Sequence, residues 1–209
     1  MEDRWRKYQD PAASRHIANE VHADAVAALE EAVVDSYESV SHRYYRLKAR
    51  VMGRTTLDQW DRNAPLDTAQ PRTYAWDQAK AMVLESFSDL APKFADTAQT
   101  FFTHPWIDAR PRPGKQSGAY SHPVTAERHP YVFMNFMGER RDVLTLAHEL
   151  GHAVHQTLAQ PLGTLLADTP LTLAETASIF GEGLVFERLL AKASKEERRG
   201  LLAGKIEDG

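Results

Sequence analysis

Apolar residues recur at helical spacing along most of the chain, and this periodicity restricts the fold more than any other feature of the sequence. The pattern predicts five helices, over residues 12–52, 76–102, 141–158, 171–193 and 195–206. Gly53 is expected to end the first helix, and Pro92 is expected to disturb the second. For the fourth helix, Asp168 or Thr169 is predicted as the N-cap, with Pro170 in the first turn. The sequence therefore predicts a mainly α fold.

Little of the remaining sequence has the pattern of β-strands. Two short extended segments are predicted over residues 118–122 and 131–136, and two prolines in their connection indicate an irregular hairpin. A loop is predicted over residues 61–74, which include Pro65 and Pro71. We therefore expect one small β element, placed just before the third predicted helix.

Composition excludes several classes of protein. The 209 residues include no Cys, so the chain has no disulfide scaffold, thiolate metal site or Cys nucleophile. The net charge of −4, without a long basic run, predicts no nucleic-acid partner. No stretch reaches the ~18 apolar residues of a membrane span, and the N-terminus does not resemble a signal peptide. We expect a cytoplasmic protein without a membrane partner.

The third predicted helix contains the pattern His-Glu-x-x-His, at His148, Glu149 and His152. Spacing of four residues places the two imidazoles on one face of a helix, where both can bind one metal ion. Gly151 lies within this helix and costs about 1 kcal/mol relative to Ala, so we expect a strand or substrate to approach closely there. The alternative is a pair of surface histidines on an amphipathic helix.

Catalytic zinc usually has three protein ligands and one open position, so a third ligand is needed. Glu175 on the next helix is the first candidate, although Thr172-x-x-Glu175 is also a capping-box pattern. His155 lies about 10.5 Å from His148 along the helix axis, too far to share one ion on a straight helix. We expect the side chain of His155 to contact a metal ligand from behind, to cover the pocket, or to be packed in the protein without a role in the site.

Glu149 is the predicted catalytic base. It follows the first ligand directly, so its carboxylate can accept a proton from zinc-bound water, whose pKa zinc lowers to about 7. Attack on a polarised amide carbonyl, with proton delivery to the leaving amine, amounts to peptide hydrolysis.

Longer stretches of the sequence resemble the thimet oligopeptidase and oligoendopeptidase F family of zinc peptidases. The resemblance rests on residues 142–155 and on Ala174-Glu175-Thr176-Ala177-Ser178 with Gly181-Glu182, and it extends upstream to residues 114–120 and 44–48. It implies that His148, His152 and Glu175 bind one Zn²⁺, that Glu149 is the base, and that Glu182 is a carboxylate behind the ligands.

The same resemblance implies a zincin-like, largely helical fold around a channel for short peptide substrates. Residues 1–103 would be a helical segment of the channel-forming lobe, and residues 104–209 the zinc-binding catalytic segment. Members of the family are much longer, and a later stretch supplies a His and Tyr residues that stabilise the oxyanion. Nothing after Glu182 here is His or Tyr. We therefore expect impaired activity, exposed apolar helix faces, and the missing remainder of the enzyme as a partner.

Two other functions stay open at this point. One is a truncated, non-catalytic zinc-binding helical module. The other is a zinc aminopeptidase or carboxypeptidase.

Overall fold

The computed structural model describes residues 2–64, 66 and 72–208. Within these ranges it contains nine α-helices: α1 (Glu2–Trp5), α2 (Ala13–Ala18), α3 (Ala23–Ser36), α4 (Ser41–Val51), α5 (Trp76–Leu90), α6 (Pro92–Thr103), α7 (Arg140–Ala159), α8 (Leu171–Lys192) and α9 (Lys195–Asp208). Three short strands accompany them: β1 (Ile107–Asp108), β2 (Tyr120–His122) and β3 (Tyr131–Phe133). The prediction of a mainly α fold with a small sheet before the motif helix is confirmed.

The prediction of one helix over residues 12–52 is wrong. Three helices, α2, α3 and α4, occupy this stretch. The helical conformation is interrupted after α2 at Glu20, whose φ of 52° lies in the left-handed region that a continuing helix cannot include. The end of the stretch agrees with the prediction, because Gly53 follows α4 with a φ of 69°. Pro65 and Pro71 of the predicted loop lie outside the described residues.

The chain divides into two compact units, one formed by residues 1–69 with 199–209 and the other by residues 70–198. In the first unit Lys48 and Ala49 of α4 are buried, whereas no residue of α3 is. The expected exposure of apolar helix faces is confirmed on α3, where Leu29 is 65% exposed. The predicted division into residues 1–103 and 104–209 differs from the limits of these two units. It concerns the domains of a longer protein and stays a prediction.

In the core of the second unit, α5, α6 and α8 pack around α7. Ten of its fully buried apolar side chains come from α5 and α7 or from the strand region: Ala79, Val83, Phe87, Val132, Val143, Leu146, Ala147, Leu150, Ala153 and Val154. Leu158 near the end of α7 is 41% exposed, whereas Ala159, the last residue of the helix, is buried. Pro92 ends one helix and begins the next, since Ala91 before it is extended.

The small sheet has the strand order β1-β3-β2. β3 pairs in parallel with β1, opposite Ile107, and antiparallel with β2, where Ser121 lies opposite Val132. The predicted hairpin therefore exists as β2 and β3, whereas β1 was not predicted. No helix in the described ranges is both long and apolar enough to cross a membrane.

Candidate metal centre

The helices α7 and α8 cross at Gly151. A β-carbon on Gly151 would lie 2.6 Å from the carbonyl oxygen of Ala177 and 2.6 Å from the Cα of Ser178. Such distances are far below van der Waals contact, so only glycine fits. The sequence predicted a close approach at Gly151 but assigned it to a strand or substrate; the approaching element is α8. This crossing brings the residues of α8 to the face of α7 that carries His148 and His152.

Three donor side chains converge beside the crossing. The Nε2 atom of His148 lies 3.2 Å from Oε2 of Glu175, and the Nε2 atom of His152 lies 3.3 Å from the same oxygen. The ligand atoms of all three residues lie within 4.8 Å of one another, and among the residues described this is the group that could hold a metal. The structure thus brings together the three residues that sequence reasoning selected.

The separations fit a zinc ion. Two atoms that each lie about 2.0–2.1 Å from a tetrahedral zinc are roughly 3.3–3.4 Å apart, which matches both His–Glu distances. Two imidazoles and one carboxylate are also the donor types of a catalytic zinc site. The side chain of Glu175 is 48% exposed, whereas those of His148 and His152 are 26% and 16% exposed. The centre is therefore open on the side of Glu175.

The alternative role of Glu175, as part of a capping box, is not observed. α8 begins at Leu171 and its N-cap is Pro170, which makes no side-chain capping bond. Thr172 is consequently inside the helix, and the prediction of Asp168 or Thr169 as N-cap is also wrong. Pro170 was expected in the first turn, but it precedes the helix as the N-cap, with a φ of −62° and a ψ of 149°. The carboxylate of Glu175 points to the imidazoles instead.

Glu182 and His155 were expected behind the metal ligands, and the structure gives them different contacts. Oε2 of Glu182, one turn beyond Ser178 on α8, lies 3.3 Å from Nδ1 of His148. A proton on Nδ1 leaves Nε2 unprotonated, and Nε2 is the nitrogen that faces Glu175. His155 is half-buried on α7 and close enough for its charge to affect His152. It does not belong to the convergent group.

Burial lowers the pKa of His152, with the nearby charge of Glu175 opposing this effect. The neutral imidazole is therefore favoured, and only the neutral form binds a metal.

Glu149 is almost fully buried beside the centre, with 6% of its surface exposed. Burial raises the pKa of Glu149 to about 7, and the nearby charge of Glu175 adds to this shift. The charge of His148 and a hydrogen bond from the backbone of Ser121 both act to lower the pKa. The Oε2 atom of Glu149 has no hydrogen-bond partner among the residues that the structure describes. A buried carboxylate oxygen without a partner costs free energy, which indicates a functional site. Such a group can exchange a proton near neutral pH.

Sequence reasoning missed the role of Ser121, which comes from β2, 28 positions before Glu149 in the chain. Nothing in the spacing of residues links them, because the contact depends on how the sheet lies along α7. Sequence reasoning also did not assign a role to Ser178. The Oγ atom of Ser178 lies 2.7 Å from Oε2 of Glu175.

Comparison with known proteins groups this sequence with peptidases. The sequence model described as Peptidase family M3 matches residues 4–208. The group B oligopeptidase PepB of Streptococcus agalactiae is 27% identical over 209 residues, which cover 99% of this chain and 34% of the relative. The oligopeptidase PepF of Bacillus subtilis is 27% identical over 171 residues, which cover 79% of this chain and 25% of the relative. The chain thus spans about a third or less of the length of these relatives.

Solved structures share the fold. A structure from Chlamydophila abortus superposes with a TM-score of 0.77 at 28% identity, covering 96% of this chain and 34% of the other. PZ peptidase A, solved with an inhibitor, gives a TM-score of 0.73 at 19% identity, covering 90% of this chain and 34% of the other. At that identity the second likeness concerns the fold alone.

Proposed function

Because this chain belongs to peptidase family M3, we propose that it is the zinc-binding catalytic segment of a metalloendopeptidase that hydrolyses peptide bonds in short oligopeptides. The convergence of His148, His152 and Glu175 on one point is the observation that carries the proposal. Three donors of these types, with spacings near those of a tetrahedral zinc site, leave a fourth position for water or substrate.

In this proposal Nε2 of His148, Nε2 of His152 and the carboxylate of Glu175 hold one Zn²⁺. A bound zinc ion polarises a carbonyl group and lowers the pKa of water, so that a nucleophile forms near neutral pH. Glu149 accepts a proton from water at its buried carboxylate and delivers this proton to the amine of the leaving peptide. A pKa of about 7 suits both steps, because the group is then partly protonated at neutral pH.

The first experiment measures metal and hydrolysis together. We expect about one zinc per chain by mass spectrometry, and cleavage of a quenched peptide that is blocked at both ends. Glu149→Gln should keep the metal and lose roughly 10²–10⁴-fold in cleavage rate, because it removes the base but no ligand. Glu187→Gln, on the exposed side of α8, is the matched control and should behave as the parent.

A metal-free parent protein would contradict the proposal, as would a Glu149→Gln variant with full activity. Cleavage that stops when either end of the peptide is blocked would instead indicate an aminopeptidase or carboxypeptidase.

A second candidate function is a zinc-binding module without catalysis. It is favoured by the extent of the match, because the chain spans about a third or less of the length of its relatives. We propose that full activity needs the remainder of a family M3 enzyme. Zinc binding without hydrolysis, unchanged when that remainder from a relative is added, would favour the non-catalytic module.

A further inference from the structure

Ser178 lies three residues after Glu175 on α8 and is completely buried, with 0% of its surface exposed. Its hydroxyl lies 2.7 Å from Oε2 of Glu175 and 3.0 Å from the backbone carbonyl oxygen of Glu175. A hydroxyl has a single proton to donate. The carboxylate is both the nearer and the charged acceptor, so it receives the stronger hydrogen bond.

The oxygen that accepts this hydrogen bond is the one that faces both histidines. Oε2 of Glu175 lies 3.2 Å from Nε2 of His148 and 3.3 Å from Nε2 of His152. The side chain of Glu175 is about half exposed, and a glutamate in solvent samples several rotamers. A buried hydroxyl at 2.7 Å therefore restricts a side chain that would otherwise be mobile.

Ser178 is itself held in place by the helix crossing. Its Cα occupies the space that the missing side chain of Gly151 leaves free, 2.6 Å from where a β-carbon would be. The backbone that carries His152 and the backbone that carries Ser178 are thus in direct contact. The position of the hydroxyl relative to the imidazoles is fixed by backbone packing.

We propose that Ser178 is a positioning residue for the metal ligand Glu175. Its hydroxyl holds the carboxylate in the rotamer that presents Oε2 to His148 and His152, so that the three ligands are arranged before the ion binds. The inference rests on the proposed function, since it assigns Ser178 a role in zinc binding. The competing role is local: buried helical serines commonly donate to a carbonyl one turn earlier, with no effect on a site.

Zinc affinity of the full 209-residue chain tests the proposal without needing activity. Ser178→Ala should bind Zn²⁺ about 10- to 100-fold more weakly in competition with a chelating dye, as is typical for residues that orient metal ligands. The absorption bands of bound Co²⁺ should also change, because the geometry of the carboxylate changes. Ser86→Ala is the matched control. Ser86 is a buried serine on α5 whose hydroxyl donates to the carbonyl oxygen of Met82, 2.8 Å away.

A double-mutant cycle separates the two roles further. In a Glu175→Ala background, Ser178→Ala should cause no additional loss of zinc affinity. Should Ser178→Ala lose its helical circular dichroism signal at room temperature, the zinc titration is repeated at about 10–20 °C, where proteins are most stable. Parental zinc affinity and Co²⁺ spectrum in a folded Ser178 variant would overturn the proposal while the proposed function stands. A parent that binds no metal would overturn both.

Discussion

Ser121 of the edge strand β2 and Gln156 of α7 exchange two hydrogen bonds. The Oγ of Ser121 donates to Oε1 of Gln156 at 2.8 Å, and Nε2 of Gln156 lies 3.4 Å from the carbonyl oxygen of Ser121. The backbone of the same serine donates to the carboxylate of Glu149. Gln156 therefore fixes the strand whose backbone holds the proposed catalytic base.

Gln156→Leu should loosen β2 from α7. Each lost hydrogen bond costs about 1 kcal/mol net, so we expect roughly 1–2 kcal/mol lower stability and faster amide exchange over residues 118–123. Hydrogen-exchange mass spectrometry gives the local readout. Gln99→Leu is the control, because the side chain of Gln99 bonds only to Thr103 on its own helix in the hydrogen bonds identified. Equal exchange in β2 of the parent and the Gln156 variant would contradict the expectation.

The convergence of the candidate metal ligands was predictable because its geometry is mostly local. His148 and His152 share one helix, so a spacing of four residues fixes their relation before any tertiary contact forms. Glu175 needed one further inference, that the following helix returns across the first. Ser121 and Gln156 act through a contact between a strand and a helix, and no spacing rule predicts which side chains meet across such an interface. Ser178 contacts Glu175 on its own helix, but its proposed role depends on the meeting of three side chains where α7 and α8 cross.

The fold shows the same division. Helices α7 to α9 were predicted to within two residues at each end because their apolar spacing coincides with burial or a proline marks their start. Helices α5 and α6 were predicted as one helix over 76–102, disturbed at Pro92, which in the structure separates the two. The stretch 12–52 was not predicted correctly, because α3 has the apolar spacing of a core helix but no buried residue. Its interruption also depends on Glu20 at a φ of 52°, a conformation that the residue type does not indicate. Strand β1 has two residues, too few for any periodicity.

Acid should weaken the ion pairs of Asp108 at the end of β1. The Arg112 guanidinium lowers the pKa of Asp108 to about 2, with burial opposing the shift and Lys115 adding to it. Arg112 contacts both carboxylate oxygens, at 2.8 and 2.9 Å. Because the pKa in the folded state lies below the unfolded value of about 3.9, the carboxylate stabilises the fold above pH ~4, and this contribution disappears as the pH falls to about 2.

Asp108→Asn makes that contribution measurable. The difference in free energy of unfolding between parent and variant should be largest near neutral pH and should shrink between pH ~4 and ~2, followed by urea unfolding at each pH. The carboxylate is 42% exposed, so solvent screening keeps the difference at about 1 kcal/mol or less. Asp168→Asn, in the exposed segment before α8, is the matched control. A pH-independent difference for Asp108→Asn would refute this interpretation.

A buried lysine stabilises the first unit. The side chain of Lys48 is 1% exposed, and its Nζ lies 2.6 Å from Oε1 of Glu207 on α9 and 2.8 Å from the carbonyl oxygen of Arg62. Lys48→Met should leave both acceptors without this donor and lower the free energy of unfolding by about 1–3 kcal/mol. Urea denaturation measures the change. Arg43→Met, on the exposed face of the same helix, should cost far less, and equal costs would contradict a specific role for the buried ammonium.

Gly151→Ala should damage stability and zinc binding together, because both depend on how closely α7 and α8 approach. The added methyl would meet backbone atoms of Ala177 and Ser178 at 2.6 Å, and backbone cannot rotate away as a side chain can. Forcing the helices apart costs about 1–3 kcal/mol or more and moves Glu175 away from the imidazoles.

The control is Gly183→Ala on α8, where a β-carbon meets nothing within 4 Å. That change should stabilise the helix by about 0.5–1 kcal/mol and leave zinc affinity as it was. Thermal unfolding with a zinc titration distinguishes the two variants, and a Gly151→Ala protein with parental stability and affinity would show that the crossing does not set the ligand spacing.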